Sequence, residues 1–255
     1  MKCLLCAAGS SFRSEEHIVP ESLGNDLLVL APGWVCDGCN NLCSSFESRA
    51  LSRSILGFER CRRGVITKKG RPARASIAGV EFLAEPTSAV NVVAAEAHWS
   101  RVPVLSSPGG TATVAFLVHD DSNADICRLL LKIGIELAGI VQQARGPAMD
   151  LGAARAALLG RDAEPWPYFL LLASVPPPSL VSVLHETPEA HEYVVGLGLD
   201  LFLHEMGSEV VLVFQYGAFL SAIAITSRAT AWTEGLRDWK IPFVGCPVEF
   251  AGVHG

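Results

Sequence analysis

Two pairs of closely spaced cysteines near the N-terminus constrain this chain more than any other feature. Cys3 and Cys6 form one Cys-x-x-Cys pair, and Cys36 and Cys39 form a second, with 29 residues between the pairs. Two such pairs can supply the four thiolates of a tetrahedral Zn²⁺ site. Because four protein ligands leave no open coordination position, we predict a structural zinc that holds the N-terminal segment folded.

The cysteine distribution also bears on the cellular compartment. Six of the eight cysteines lie within the first 61 residues, and eight cysteines in 255 residues are too few for a disulfide scaffold. Residues 1–17 lack the long apolar segment that a secretory signal requires. Clustered cysteines without an export signal are typical of metal binding in a reducing compartment, so we predict a cytoplasmic protein.

Charge divides the chain into two unlike parts. Residues 1–75 carry eleven Lys and Arg against seven Asp and Glu, whereas residues 76–255 carry nine against nineteen. We therefore predict a zinc module over 1–58, a basic linker over 59–75 and an acidic α+β domain over 76–255. Only 18% of all residues are charged, which suggests that a partner or second subunit covers apolar surface. A homo-oligomer formed through the C-terminal domain is one expectation.

Hydrophobic patterns predict a mixed α+β fold. Within the zinc module, a strand near 16–19, a return strand near 27–30 and a helix from Asn40 to Gly57 follow one another. Beyond residue 76, short apolar runs predict strands. A helix of about 20 residues is expected to begin near Ser122, and a second helix is expected near 151–159.

One uncharged segment is long enough to be considered as a membrane span. Residues 210–227 form a run of 18 residues without a charge. Gln215, Tyr216 and Gly217 divide this run into two shorter apolar halves. We interpret it as two buried strands joined by a turn, and we expect no membrane partner.

The segment between the two cysteine pairs, residues 7–35, is called the zinc loop here, and polar residues within it and just after it point to an activity. Glu16 and His17 lie within SEEHIVPESLGND, and Asn40 follows the second cysteine pair within WVCDGCNNLCSSFE. Together with CLLC, these motifs resemble the HNH (ββα-metal) endonucleases over about residues 1–75. The stretch GVITKKGRPA also resembles the segment that follows the catalytic module in one HNH subgroup. The resemblance implies an N-terminal ββα-metal module that hydrolyses DNA phosphodiester bonds.

The same residues suit this chemistry on physical grounds. Phosphodiester hydrolysis needs a deprotonated water and a cation that stabilises charge on the phosphate. Histidine is the natural general base near neutral pH, and carboxylate and amide oxygens can hold Mg²⁺. The resemblance implies that His17 is the base and that Glu16 and Asn40 bind a catalytic Mg²⁺ or Mn²⁺. Many HNH enzymes have Asp and His at the two ligand positions, whereas junction-resolving relatives use Asn after the second knuckle.

Three further polar residues have alternative roles. Asn25 is the candidate within the loop for the residue that orients the base, but it also suits a left-handed turn position. Asn41 competes with Asn40 as the metal ligand. Glu47 lies on the same helix face as Asn40, where it supports the metal or the base or forms a surface salt bridge. Lys132 and Glu136 are expected to form an i,i+4 salt bridge on the long helix.

A basic run follows the predicted catalytic helix. Residues 60–74 contain seven Lys and Arg and no acidic residue. Such a run either contacts DNA phosphates or forms a solvated linker. The candidate nucleic-acid contacts are Arg62, Arg63, Lys68, Lys69 and Arg71.

Two classes of function remain in competition on the sequence alone. The first is a metal-dependent endonuclease acting on DNA. The second is a non-catalytic, zinc-dependent nucleic-acid-binding module fused to a ligand-sensing or assembly domain. The pair Glu16-His17 favours the endonuclease, because a purely binding module has no need of an acid beside a base at the start of the helix.

Overall fold

The computed structural model describes residues 2–9, 11–77, 79–85, 92–94, 104–106, 112–114, 120–145, 149–172, 199–217 and 219–236. Its helices and small antiparallel sheets confirm the mixed α+β class predicted from the sequence. Across these ranges, no helix combines the length and the hydropathy of a membrane span.

The zinc loop contains a two-stranded sheet, and a helix follows the loop. Strand β1 (Glu16–His17) pairs antiparallel with β2 (Val29–Leu30), and a 3₁₀ turn spans Glu21–Leu23 between them. Helix α1 (Asp37–Arg53) begins inside the second cysteine pair. The Asp37 carboxylate accepts hydrogen bonds from the backbone before β1, which joins the start of α1 to that strand. The predicted order of strand, strand and helix is confirmed.

The helix predicted to end at Gly57 is divided earlier, at Ser54. The backbone of Ser54 is extended, and its hydroxyl bonds to the backbone on both sides of the break. Helix α2 (Ile55–Arg62) follows, so Gly57 lies inside it and the predicted helix end is wrong. Gly57 instead allows close packing, since a Cβ there would lie 2.8 Å from the Leu51 carbonyl oxygen and 3.0 Å from Ala75 Cβ.

The segment treated as a linker in the sequence contains regular structure. Beyond α2, residues 65–73 turn back on themselves, and we call this hairpin the basic loop. The Ala73 N–H donates to the Val65 carbonyl over 2.9 Å, and the Thr67 N–H donates to the Arg71 carbonyl over 2.8 Å. The basic residues at the tip of the loop are therefore presented by a hydrogen-bonded turn.

Two small antiparallel sheets follow the basic loop. The first contains β3 (Arg74–Ile77), β4 (Val80–Ala84) and β5 (Val92–Ala94). The second contains β6 (Val104–Ser106) and β7 (Ala112–Val114). The first sheet packs on α2 through Phe58 and Phe82, whose rings meet edge to face at 5.1 Å.

The predicted C-terminal helices are present. Helix α3 (Asp120–Arg145) has 26 residues and is longer than expected, and α4 (Gly152–Leu158) follows it. A short α5 (Thr233–Leu236) ends the described part of the chain. Along α3, apolar side chains such as Leu130 and Ile133 are fully buried, so the helix forms part of the hydrophobic core.

A four-stranded antiparallel sheet packs beside α3. Its strand order is β8 (Phe169–Leu172), β11 (Phe219–Ala224), β10 (Glu209–Tyr216) and β9 (Leu199–Met206). The uncharged segment 210–227 thus forms β10, β11 and their turn. Its interpretation as two buried strands is confirmed.

One hydrophobic core joins the zinc module to α3 and this sheet. Its buried side chains include Leu5 and Phe46 from the module and Leu130 and Phe214 from the later part of the chain. An ion pair reinforces the contact between α1 and α3, since Arg49 Nη2 lies 2.7 Å from Asp125 Oδ1. Residues 1–58 therefore share their core with residues beyond 120.

Candidate metal and catalytic site

Four cysteine side chains from the two Cys-x-x-Cys pairs lie close together. The sulfur atoms of Cys3, Cys6, Cys36 and Cys39 all lie within 4.8 Å of one another. Cys6 Sγ is 3.8 Å from Cys36 Sγ, and the Cys36 N–H donates to Cys3 Sγ over 3.3 Å. Among the described residues, no other group of three or more His, Cys, Asp or Glu side chains is gathered in this way. The cluster can hold a metal ion such as zinc.

Hydrogen bonds within the cluster favour one thiolate in the absence of metal. The pKa of Cys3 is lowered to about 4, chiefly because the Cys39 thiol donates a hydrogen bond to it. The same bond raises the pKa of Cys39, and burial raises that of Cys6. Since zinc binds thiolates, metal binding would displace the remaining thiol protons.

Glu16, the predicted metal ligand on β1, is 5% exposed. Its Oε1 atom lies 2.6 Å from the Nζ atom of Lys132 on α3. Its Oε2 atom is buried and has no hydrogen-bond partner among the described residues. Burial raises the pKa of Glu16, and the ammonium of Lys132 opposes that shift. One carboxylate oxygen is thus engaged by an ammonium, and the other has no hydrogen-bond partner among the described residues.

Lys132 is fully buried and gathers two more carboxylates. Its Nζ atom lies 3.0 Å from Glu47 Oε1 and 3.4 Å from Glu136 Oε2, so the predicted Lys132–Glu136 salt bridge is confirmed. Burial raises the pKa of Glu136 well above its usual value. Burial lowers the pKa of Lys132, but the three carboxylates outweigh it and the net shift is upward. We call Lys132, Glu16, Glu47 and Glu136 the buried charge cluster.

His17, the predicted base, is held by an acidic residue one turn further on. Its Nε2 atom lies 3.2 Å from Glu21 Oε2, and the same oxygen is paired with Nζ of Lys68 from the basic loop. The Nδ1 atom of His17 is buried without a hydrogen-bond partner in the described part of the chain. The side chain as a whole is 29% exposed, so it lies at the edge of the surface.

Asn40 is the asparagine that lies beside β1. Its Nδ2 atom donates to the Glu15 carbonyl oxygen over 2.9 Å, one residue before Glu16. The amide oxygen of Asn40 is not used in this bond. Asn41 is exposed on α1. The structure therefore places Asn40, and not Asn41, next to the strand that carries Glu16 and His17.

Asn25 ties the zinc loop together. It is fully buried, its Nδ2 donates to the Val19 carbonyl over 2.7 Å, and its Oδ1 accepts from the Leu28 N–H over 2.9 Å. The alternative of a left-handed turn residue is wrong, because the preceding Gly24 takes that conformation with φ 90°. Asn25 thus positions the loop backbone that follows His17.

The basic residues nearest to α2 are engaged with the protein. Arg62 Nε donates to Glu59 Oε2 over 2.6 Å. The guanidinium carbon of Arg63 lies 5.4 Å from the centre of the Tyr216 ring, a distance at which a cation is attracted to the ring face. Arg62 is thus paired within α2, whereas Arg63 at the end of that helix contacts β10.

The basic residues of the loop have a different environment. Lys68, Lys69 and Arg71 are exposed, and the Lys68 side chain is 73% exposed even though it reaches Glu21. Through Glu21, the basic loop lies beside His17. The five predicted nucleic-acid contacts therefore divide into two engaged residues and three exposed ones.

Sequence reasoning missed two partners of the predicted site. Glu21 is four residues after His17, but the 3₁₀ turn that brings it back leaves no periodic signal. Lys132 and Glu136 are charged residues within the apolar stretch ICRLLLKIGIELAGI, and that placement could have indicated a buried ion pair. The contact of Lys132 with Glu16 depends on how α3 docks against α1.

Comparisons with protein-family models, with curated proteins and with solved structures give no match for this chain. The evidence for the mixed α+β fold and for the cysteine cluster therefore comes from the structure itself. The resemblance of residues 1–75 to HNH endonucleases stays a prediction from their motifs.

Proposed function

We propose that this protein is a metal-dependent endonuclease that hydrolyses DNA phosphodiester bonds at His17. The observation that carries the proposal is the arrangement of His17, Glu21 and Lys68, in which one carboxylate oxygen joins the imidazole to the basic loop. An oriented imidazole beside exposed cations is what base-assisted attack on a phosphodiester requires.

Glu21 determines which nitrogen of His17 can accept a proton. A neutral imidazole has one N–H donor and one lone-pair acceptor. With Nε2–H donating to Glu21, the lone pair lies on Nδ1, which has no hydrogen-bond partner within the described ranges. Nδ1 is therefore the atom that takes the proton of the attacking water. The Glu21 carboxylate stabilises the imidazolium that results.

Glu16 and Asn40 are the residues that would hold the divalent cation. The unpartnered buried Oε2 of Glu16 is an oxygen ligand of the type that Mg²⁺ and Mn²⁺ prefer. The Asn40 side chain donates to the Glu15 carbonyl, directly before the strand that carries Glu16, and its amide oxygen is not used in that bond. When bound, the ion would stabilise negative charge on the phosphate and the leaving oxygen.

The ion proposed for the cysteine cluster is a structural Zn²⁺. Four sulfur ligands within 4.8 Å of one another match the all-thiolate sites that zinc prefers. The cluster lies at the start of α1, so the zinc would fix the first turn that carries Asn40. It would support the site without taking part in hydrolysis.

The basic loop is the proposed DNA contact. Replacing Lys68, Lys69 and Arg71 together by Gln should weaken binding to all DNA sequences alike. Each lost phosphate contact should also reduce the slope of log affinity against log salt by about 0.9 for duplex DNA. Fluorescence anisotropy without divalent cation measures this binding in the absence of cleavage.

A matched control uses the other basic pair. Arg62→Gln with Arg63→Gln removes two charges from the same run, but these side chains are engaged with Glu59 and Tyr216. We expect a smaller change in the salt slope for this pair. An unchanged slope in the triple loop variant would contradict the assignment of the loop.

The experiment that tests the activity is cleavage of supercoiled plasmid by the purified, zinc-containing protein. Conversion to open-circular or linear DNA should depend on added Mg²⁺ or Mn²⁺. It should be suppressed by high salt, because binding relies on phosphate contacts. Absence of cleavage with duplex, branched and single-stranded DNA under both ions would overturn the proposal.

A second candidate, a nucleic-acid-binding module without catalysis, is favoured by one observation. The Glu16 carboxylate is 5% exposed and its Oε1 atom is already paired with Lys132. If Lys132 satisfied this carboxylate permanently, the module would bind DNA through its basic loop without hydrolysing it. Salt-dependent DNA binding in the absence of any cleavage would support this alternative.

A further inference from the structure

Lys132 occupies a position surrounded by oxygen atoms. In addition to the carboxylates of Glu16, Glu47 and Glu136, its Nζ atom contacts the carbonyl oxygen of His17 and lies 3.4 Å from that of Ile18. The side chain has no exposed surface. An ammonium has three protons, so these oxygens form a buried cation-binding environment that a lysine fills from α3.

The position of this ammonium bears directly on Glu16. Glu16 Oε1 lies 2.6 Å from Nζ, while Glu16 Oε2 is the unpartnered oxygen of the same carboxylate. A cation bound at Oε2 would share one carboxylate with a buried ammonium. Both charges would compete for the same negative group, and they would repel each other at close range.

We propose that Lys132 competes with the divalent cation for Glu16 and thereby sets how tightly the site binds its metal. This inference rests on the proposed function only in taking Glu16 as a ligand of the ion. Lys132 is then a positioning residue supplied by the acidic part of the chain, since it contacts Glu16 and the backbone of His17 without reaching a substrate. Docking of α3 on the zinc module places it there.

Electrostatics fixes the sign of the effect. Replacing Lys132 by the uncharged Met removes a positive charge from a site that must accept a doubly charged cation. Coulomb repulsion between buried charges a few ångström apart is strong. Its loss should raise the affinity for the divalent cation about tenfold or more. The variant should therefore bind divalent cations more tightly than the parent.

The test is titration of the full-length protein with Mn²⁺, with its cysteine cluster filled by zinc. Free Mn²⁺ is followed by electron paramagnetic resonance. We expect the Kd of Lys132→Met to be at least tenfold lower than that of the parent. Adding Glu16→Gln to the variant should abolish the tight binding, because Glu16 is the shared group.

Two further variants make the result decisive. Lys132→Met combined with Glu136→Gln removes the ammonium together with one of the carboxylates that it pairs with, and it serves if the single variant does not fold. It should also bind Mn²⁺ more tightly than the parent. Arg49→Met removes a cation from the same α1–α3 contact by breaking the pair with Asp125, and it should leave Mn²⁺ binding unchanged.

The outcomes separate this inference from the proposed activity. A folded Lys132 variant that binds Mn²⁺ no more tightly than the parent would overturn the inference, as would tight binding that survives Glu16→Gln. A parent that cleaves no DNA, beside a Lys132 variant with Glu16-dependent tight binding, would refute the nuclease and leave the competition intact. Cleavage by the parent, together with an unchanged Kd for Mn²⁺ in the Lys132 variant, would support the nuclease and overturn the competition between Lys132 and the cation.

Discussion

Protein purified without chelators is expected to contain about one zinc ion per chain, bound by Cys3, Cys6, Cys36 and Cys39. Replacing Cys36 by Ser should remove the zinc and unfold the zinc module. Structural zinc contributes roughly 10–16 kcal/mol of binding free energy near neutral pH, which equals or exceeds the stability of a typical domain. Elemental analysis, together with circular dichroism during thermal unfolding, measures both effects.

The matched control for this experiment is Cys43→Ala. Cys43 is buried on α1, one turn after Cys39, but it does not belong to the four-sulfur cluster. That variant should keep its zinc and lose only the stability of a small core truncation. A Cys36→Ser protein that is fully folded, or parent protein without any bound metal, would remove the basis of the zinc assignment.

Replacing His17 by Ala should lower the rate of DNA cleavage by a factor on the order of 10²–10⁴, which is the usual contribution of a general base. The loss should appear in kcat at saturating Mn²⁺. Zinc content and folding should be unchanged, because His17 lies outside the cysteine cluster. Gel-based kinetics on plasmid DNA measure the rate, and cleavage at the parent rate would rule out His17 as the base.

Two companion variants separate the roles around His17. Glu21→Gln keeps the shape of the side chain but removes the charge that stabilises the imidazolium, so we expect a smaller loss in kcat. Glu16→Gln should act through the metal, with activity partly restored by higher Mn²⁺ concentration. Equal losses in all three variants at every metal concentration would indicate damage to the fold instead.

Local patterns were sufficient to predict much of the fold. The short strands, the helix after the second cysteine pair and the two strands of 210–227 follow from hydrophobic periodicity and turn residues. The break at Ser54 was missed, because a serine hydroxyl can either continue or interrupt a helix, and its contacts decide which. Gly57 was misjudged, since its role is close packing against Ala75, a residue distant in the sequence.

The site was predicted unevenly for a similar reason. Cys-x-x-Cys spacing is a local signal that directly encodes ligand geometry, and the four sulfurs lie together as it predicts. Asn40 is the ligand predicted from the sequence, and the hydrogen bond from its amide to the Glu15 carbonyl places it, and not Asn41, beside β1. That Asn25 holds the loop backbone could be seen only from its hydrogen bonds to Val19 and Leu28.

The sequence by itself determined the cysteine cluster, the mixed α+β class and the proximity of Glu16 and His17, because these depend on spacing within short segments. Tertiary structure alone decided that Lys132, more than a hundred residues further on, engages Glu16, and that Glu21 links His17 to Lys68. Such pairings arise from the docking of α3 on α1, from the 3₁₀ turn at Glu21–Leu23 and from the basic loop. Burial makes these pairings necessary, because a charge removed from water must be paired. The available partners are those that the packing of the chain brings within reach.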